Sequence, residues 1–173
     1  MKDKIYSEYR EKIADFVFND KVVSVFDDMI RRSVPGYATV IAMTKVFAEE
    51  FGKDNSNYYD LGSSLGASTL AIRNGIEDKK NCRIVSVDNS PSMVKRFKEI
   101  IQSDVSRVPV ETKLADITDV EIENASVVVM NFTLQFLSPV KRQEMIEKIY
   151  RGLKPGGVLL LSEKIAFEKE EEQ

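Results

Sequence analysis

The chain of 173 residues has the length of one domain, and its 43% hydrophobic and 31% charged residues are typical of a globular protein. A formal net charge of -3 and a pI near 5.2 argue against a domain that grips nucleic acid by its phosphates. Histidine is absent and Cys82 is the only cysteine, which excludes Ser-His-Asp and Cys-His catalysis, imidazole or thiolate zinc sites and an internal disulfide.

The N-terminal part of the chain, residues 1–56, contains two predicted helices. One runs from about residue 20 to residue 32, and the other follows the turn at residues 34–36 and ends at Gly52. The first residues form no signal-peptide core, and no apolar run approaches the roughly 20 residues needed to cross a bilayer. We therefore expect a cytoplasmic protein with neither a membrane partner nor direct nucleic-acid binding.

From residue 57 onward, predicted strands and helices alternate. The strands are expected at residues 58–61, 82–88, 108–114, 125–131 and 158–161, and the helices at residues 67–76, after Ser90-Pro91 and after Ser138-Pro139. With right-handed crossovers, this order predicts an α/β fold with a doubly wound, mostly parallel sheet in residues 57–165. The acidic residues 166–173 are expected to be a solvated tail.

The C-terminal part of this unit carries two more local signals. Residues 154–157 read K-P-G-G and predict a turn before the last strand. The preceding helix is expected to bury an apolar stripe at helical spacing, formed by Val140, Ile146, Ile149, Tyr150 and Leu153.

The most informative segment joins the first predicted strand to the helix that follows it. Residues 60–66 read D-L-G-S-S-L-G, so a strand, a tight loop and a helix N-terminus come together where a nucleotide or nucleoside can bind backbone N–H groups. Dinucleotide binders favour G-x-G-x-x-G, whereas G-x-S-x-G is similar to the first motif of S-adenosylmethionine-dependent methyltransferases, with Ser64 in place of the middle glycine. By itself, such a glycine pair is often only a turn.

Polar residues follow the ends of successive predicted strands, namely Asp60, Asp88, Asn89, Asp116 and Asn131. Since ligands of open α/β sheets bind outside the carboxyl ends of the strands, we expect these positions to converge on one crevice. Asp88 is suited to accept hydrogen bonds from both hydroxyls of a ribose, and Asp116 with the backbone of Ile117 is suited to an adenine edge. Each residue also has an ordinary role at a strand end or as a helix cap.

Longer stretches narrow the resemblance to one family. Residues 29–37, 60–66, 87–91, 131–137 and 162–164 closely resemble carboxy-S-adenosyl-L-methionine synthases, a bacterial family in transfer RNA wobble-uridine modification that also has serine at the position of Ser64. The resemblance covers nearly the whole chain and implies a class I methyltransferase fold with strand order 3-2-1-4-5. It further implies that the cofactor is contacted by Tyr37, Gly62, Ser63, Ser64, Asp88, Asn89, Asp116, Ile117 and Asn131.

The resemblance also implies a transferase reaction. Such an enzyme converts S-adenosyl-L-methionine and prephenate to carboxy-S-adenosyl-L-methionine by loss of carbon dioxide from prephenate, formation of a sulfonium ylide and recapture of the carbon dioxide. This route requires positioning and exclusion of water more than a protein acid or base, so no catalytic residue and no metal are assigned. The expected ligand is S-adenosyl-L-methionine, its carboxylated product or S-adenosylhomocysteine, and a separate enzyme would use the product on RNA.

Members of that family continue past the fifth strand to an arginine that meets the added carboxylate, and we expect this chain to lack that segment. Arg31, Arg32 and Arg73 are the candidates to replace that arginine. Residues 158–161 are then expected to be a sheet edge, which favours a homodimer. The alternatives are a conventional methyltransferase of a small molecule or transfer RNA, and an inactive cofactor-binding module.

Overall fold

The computed structural model describes the backbone of residues 20–164, together with the side chains of residue 23 and of residues 25–164. The predicted acidic tail, residues 166–173, lies outside this range. The elements are α1 (Asp20–Ser33), α2 (Tyr37–Phe51), β1 (Asn57–Leu61), α3 (Ala67–Gly75), β2 (Arg83–Asp88), α4 (Pro91–Ser103), β3 (Val110–Leu114), β4 (Ala125–Asn131), α5 (Pro139–Gly152) and β5 (Leu153–Ser162). Short 3-10 helices follow β3 at Ile117–Asp119 and β4 at Leu134–Phe136.

The strands form one parallel sheet in the order β3-β2-β1-β4-β5. This order confirms the predicted doubly wound fold. The chain builds outward from β1 to β3 and then crosses back to β4, so the direction of winding reverses between β1 and β4. In folds of this kind the reversal leaves a crevice at the carboxyl ends of the strands, which is where the site is expected.

Both faces of the sheet are buried. Along β1, Tyr59 and Leu61 belong to the apolar cluster that α5 covers with Met145 and Ile149, whereas Tyr58 belongs to the cluster that α2 and α3 cover. This alternation follows from the two-residue period of a strand. Because helices protect both faces, the central strands are apolar nearly throughout, as the sequence predicts.

The start of β5 differs from the prediction. The expected turn at residues 154–157 is part of the strand, because Leu153 already pairs with Ala125 and Val158 pairs with Val127. Between these two pairs β5 has more residues than β4, so the pairing is irregular there. Gly156 lies in this irregular stretch and has a φ of 74°. The glycine pair therefore bends the strand where a separate turn was expected.

Helix α5 differs in two respects. Val140 and Tyr150 are 71% and 79% exposed, so the predicted stripe is wrong at these two positions, and the face that packs on the sheet carries Met145 and Ile149. These two residues are four apart on the helix, and the exposed pair lies off their face. Ser138 makes no side-chain capping bond, in contrast to Ser90, whose hydroxyl accepts a hydrogen bond from the N–H of Met93.

Helix α1 lies near the carboxyl ends of the strands. Its Phe26 packs with Met93 of α4, and Met29, Ile30 and Leu65 surround this contact. The first turn of α4 and the loop after β1 thus provide the apolar surface that holds α1. Among residues 20–164, no helix combines the length and the apolar character needed to cross a membrane.

Candidate active site

A cavity of about 980 Å³ opens at the carboxyl ends of the strands, below α1. This volume is at the upper end of the range for small-molecule sites, roughly 300–1,000 Å³. Its lining includes every residue that the resemblance assigns to the cofactor, namely Tyr37, Gly62, Ser63, Ser64, Asp88, Asn89, Asp116, Ile117 and Asn131. The fold therefore brings these positions together, and their contact with a ligand stays a prediction.

The loop after β1 depends on left-handed backbone conformations at Gly62, Ser64 and Gly66, with φ of 84°, 46° and 81°. A Cβ atom on Gly62 would lie 2.2 Å from Oγ1 of Thr133, and one on Gly66 would lie 1.8 Å from the ring of Phe97. Glycine is required at both positions for space as well as for conformation. Ser64 adopts the same region with a side chain, which is a strained conformation at the cavity wall.

The backbone N–H groups of this loop are mostly bonded within the protein. Those of Gly62 and Ser63 both donate to the carbonyl of Val87 at 2.9 Å, and that of Ser64 donates to Oδ2 of Asp88 at 2.8 Å. The donors that remain for a ligand are the first N–H groups of α3, which lack intrahelical acceptors. Ala67 and Ser68, at this helix start, line the cavity.

Asp88 joins the ends of β1 and β2. Besides the bond from Ser64, its Oδ1 accepts the N–H of Ser90 at 2.9 Å, and the residue is only 9% exposed. Burial raises the pKa of this carboxyl, against the lowering effect of the two N–H donors. Each oxygen keeps a further acceptor position, which suits one of the two expected ribose hydroxyls.

Asp116 caps a short helix, which is the ordinary role that its position after a strand also allowed. Its Oδ1 caps the 3-10 helix by accepting the N–H and the hydroxyl of Thr118 at 2.8 and 2.7 Å, and these two bonds lower the pKa of the carboxyl. The same cap turns the chain so that Ile117 is buried at the cavity wall. Asp116 is thus charged and fixed in place before any ligand binds.

Two buried side-chain oxygens in residues 20–164 have no hydrogen-bond partner, Oδ1 of Asn131 and Oε2 of Glu163. Both residues line the cavity, and the amide of Asn131 is oriented by donating to Oγ of Ser68 at 3.0 Å. A buried acceptor without a donor costs about 1–3 kcal/mol. The cavity therefore fits a ligand that brings donors, as the amino and hydroxyl groups of S-adenosyl-L-methionine would.

Tyr37 begins α2, directly after Gly36 with its φ of 77°. Its ring lies 6.4 Å from that of Phe132, which follows β4, so the two aromatic residues meet across the cavity. Burial raises the pKa of the Tyr37 hydroxyl to about 12, and the carboxylates of Asp60 and Asp27 add to this rise. The hydroxyl is therefore protonated at neutral pH and can donate a hydrogen bond.

Asp60 does not line the cavity, although the sequence places it among the strand-end residues. It is 2% exposed and points toward α3, where Oγ1 of Thr69 donates to its Oδ2 at 2.6 Å and also bonds the hydroxyl of Ser86 at 2.7 Å. Burial raises the pKa of Asp60 to about 6. The residue thus ties β1 to α3 and, through Thr69, to Ser86 of β2.

None of the three arginines proposed for the added carboxylate lines the cavity. Arg31 and Arg32 pair on the surface of α1 with Asp27 and Asp28. Arg73 is buried at the far side of α3, where it bonds Asp104 and the carbonyls of Ser106 and Val108. Its helical position shows no sign of this pairing, which joins residues 31 positions apart.

Glu163 and Lys164 follow β5 and line the cavity, a role that the sequence did not predict for them. Glu163 fixes the loop after β4, because its Oε1 accepts the N–H of Leu134 at 2.6 Å. Burial raises the pKa of its carboxyl, against lowering by the N–H groups of this loop and by Arg142. The one sequence signal for Glu163 and Lys164 as site residues was their position just after a predicted strand, where the other candidate residues also lie.

Comparisons with known proteins agree with the fold. The methyltransferase domain family matches residues 59–157, more than half of the chain. The crystal structure of an S-adenosyl-L-methionine-dependent methyltransferase from Methanococcus maripaludis superposes with a TM-score of 0.64 at 21% identity, covering 88% of this chain and 67% of that one. Coclaurine N-methyltransferase bound to S-adenosylhomocysteine superposes with a TM-score of 0.56 at 28% identity, over 70% and 35% of the two chains. The protein thus has the class I methyltransferase fold.

Closer relatives define the family. The carboxy-S-adenosyl-L-methionine synthase of Shewanella sediminis is 53% identical over 168 residues, which are 97% of this chain and 69% of the relative. That of Vibrio campbellii is 55% identical over the same share of this chain and 68% of its own length. The chain belongs to the carboxy-S-adenosyl-L-methionine synthase family, whose members are transferases.

Proposed function

We propose that the protein binds S-adenosyl-L-methionine in this cavity and converts it, with prephenate, to carboxy-S-adenosyl-L-methionine. The observation that carries the proposal is the meeting of the motif loop, Asp88 and Asn131 around one cavity in a chain of this family. The resemblance supplies prephenate as the carboxylate donor. Overall, prephenate loses carbon dioxide and hydroxide as its ring becomes aromatic, the hydroxide takes a proton from the sulfonium methyl group, and the resulting ylide forms a C–C bond to the carbon dioxide.

The residues of the cavity have separable roles in this proposal. Asp88 and the segment at Asp116 hold the adenosine half, because they lie at the ends of β2 and β3. The start of α3 and the amide of Asn131 hold the amino acid half, where N–H groups suit its carboxylate and the unpaired Oδ1 suits its ammonium. The rings of Tyr37 and Phe132 exclude water from the methyl group between these halves.

The N-terminal segment, residues 1–56, is proposed to cover this site. Support comes from α1, whose Phe26, Met29 and Ile30 line the cavity on the side away from the sheet. Closure of the site matters for this reaction because water would trap carbon dioxide or protonate a carbanionic methyl group before the C–C bond forms.

Incubation of the purified protein with S-adenosyl-L-methionine and prephenate, followed by mass spectrometry of the small molecules, tests the reaction. We expect a product heavier than the substrate by one carboxyl group, formed only when both compounds are present. A methylated acceptor, or no product from protein that binds both compounds, would exclude the proposal.

Asp88→Ala tests the binding site itself. We expect its affinity for S-adenosyl-L-methionine to fall about ten- to a hundredfold, because a charge-assisted hydrogen-bonding partner is lost. Calorimetry measures this affinity, and Asp78→Ala, a change of an exposed carboxylate outside the cavity, is the control. Equal affinities of the two variants would remove Asp88 from the site.

We further propose that the protein acts in the cytoplasm as a homodimer and passes its product to a separate enzyme that modifies transfer RNA. The net charge of -3 supports the absence of direct RNA binding. Support for a dimer comes from β5, which pairs only with β4 within residues 20–164 and carries Leu161 at 45% exposure.

A further inference from the structure

The charged residues that line the cavity are unevenly distributed. The carboxylates are those of Asp27, Asp88, Asp116 and Glu163, and Lys164 is the one cation among the lining residues of the described range. S-Adenosyl-L-methionine carries a sulfonium cation, which the carboxylates suit. Among these lining residues, Lys164 is the side chain that offers an opposite charge to an anionic second substrate, so the carboxylate of that substrate should bind at this end of the cavity.

The end of the cavity at Lys164 and the proposed nucleoside end lie at opposite edges of the sheet. Asp116 follows β3, whereas Glu163 and Lys164 follow β5, and these are the outer strands of the sheet. With a spacing of about 4.8 Å between neighbouring strands, the two outer strands lie roughly 19 Å apart. The proposed cofactor reaches from the end of β3 to Asn131 at the end of β4, so the β5 end of the cavity is the part left for another molecule.

Glu163 contributes a hydrogen-bond acceptor with a fixed orientation at the β5 end of the cavity. Its Oε1 is held by the N–H of Leu134, which fixes the side chain. Its Oε2 is buried and has no hydrogen-bond partner among residues 20–164. A fixed, desolvated oxygen of this kind selects a ligand that presents a hydroxyl or another donor.

We infer that Glu163 and Lys164 form the subsite of the second substrate and select a hydroxycarboxylic acid, with a carboxylate of the substrate on Nζ of Lys164 and its hydroxyl on Oε2 of Glu163. The inference rests on the proposed function and names the binding place of its carboxylate donor. Prephenate has both groups. Lys164 is exposed and forms no ion pair within the described range, so its ammonium is available.

Binding of prephenate to protein saturated with S-adenosylhomocysteine tests this inference without turnover, because this ligand has no methyl group to react. We expect Lys164→Gln to weaken prephenate binding about ten- to a hundredfold, the loss typical of a charge-assisted hydrogen bond. Its affinity for S-adenosyl-L-methionine should stay within about twofold of the wild type. Lys164→Arg should retain binding, and Lys95→Gln, which removes an exposed lysine outside the cavity, is the matched control.

Glu163→Gln tests the acceptor separately. The amide oxygen can still accept the N–H of Leu134, whereas the amide nitrogen replaces Oε2. We expect a higher KM for prephenate with an unchanged affinity for S-adenosyl-L-methionine, and weaker discrimination against an analogue of the acid that lacks the hydroxyl. Loss of affinity for both ligands would show that Glu163 only positions the loop, and it would overturn this part of the inference.

The possible outcomes separate the subsite from the reaction. Equal prephenate affinity of Lys164→Gln and Lys95→Gln, or no prephenate binding by the wild type, overturns the subsite even if carboxylated product forms. Selective loss in Lys164→Gln supports the subsite. If the wild type then makes no carboxylated product, the proposed reaction fails while the subsite stands.

Discussion

At the scale of single residues, the space beside a left-handed backbone position decides which residue it tolerates. Gly36 and Gly66 have similar φ values of 77° and 81°, but a Cβ atom meets nothing within 4 Å at Gly36 and overlaps the ring of Phe97 at Gly66. Ser64 shows that a side chain can occupy such a conformation in this loop when there is room for it. The two glycines therefore form a natural pair for separating strain from overlap.

Gly36→Ala and Gly66→Ala should destabilise the protein to different extents. The first imposes the left-handed conformation alone and should lower the free energy of unfolding by about 1 kcal/mol. The second must also displace Phe97 and should cost about 2–4 kcal/mol, as overpacking of a core typically does. Urea denaturation measures both. Equal losses would mean that the loop moves away from Phe97 freely.

The buried carboxyl of Asp60 should make stability depend on pH. Its pKa of about 6 lies above the value of about 3.9 in an unfolded chain. The contribution of this group is therefore fully present below pH 3.9 and is lost as the pH rises through 6.

Asp60→Asn removes this titration. Relative to the variant, the wild type should lose on the order of 3 kcal/mol of unfolding free energy between pH 4 and pH 8, measured by urea denaturation across this range. Asp78→Asn, at an exposed carboxylate, controls for the change in charge. A constant difference between wild type and Asp60→Asn at every pH would contradict the raised pKa.

Residue types at strand ends were predictable from the sequence, but their partners were not. Asp88 and Asn131 follow strands that alternation and composition identify, and the fold places both at the cavity. By contrast, Asp60 is also a strand-end acid, yet its side chain turns to Thr69. The direction of a side chain depends on the face of the strand and on the helix packed there, which no local pattern specifies.

At the scale of elements, strand cores were easier to predict than boundaries. Strand β4 has the predicted bounds because its buried run is continuous. Strand β5 begins earlier than expected, since pairing with β4 extends across its glycines, and α5 buries a narrower face than its apolar residues indicate. Both differences arise from contacts with other elements.

Arg73 connects α3 to the segment before β3, and its loss should destabilise both. The side chain is 8% exposed and pairs with Asp104 at 2.5 Å. Arg73→Met leaves this carboxylate and two carbonyls without their donor, so we expect a loss of about 3–5 kcal/mol in unfolding free energy. Arg83→Met, which removes a pair with Glu111 at 51% exposure, should cost at most about 1 kcal/mol. Similar losses in urea denaturation would show that the buried pair contributes no more than a surface pair.

At the scale of the whole molecule, the sheet has two outer strands with different surroundings. Strand β3 carries Leu114 at 55% exposure and β5 carries Leu161 at 45%, so each edge presents one exposed leucine. Further exposed apolar residues lie nearby in sequence at both edges, Val105 before β3 and Val140 and Tyr150 of α5 before β5. Leu160, the preceding residue of β5, packs on the buried cluster around Tyr58, so a charged side chain there would disturb the core.

Leu161→Lys is therefore the variant that tests association through β5. Lysine on an exposed edge opposes pairing with another strand, so we expect the wild type to sediment as a dimer at low micromolar concentration and Leu161→Lys as a monomer. Leu114→Lys makes the same change on β3 and should remain dimeric, with both variants keeping the wild-type thermal midpoint within a few degrees. A monomeric wild type that Leu161→Lys leaves unchanged would mean that the β5 edge is covered within one chain. Loss of the dimer in both variants would point to an effect of charge, because it would not distinguish the two edges.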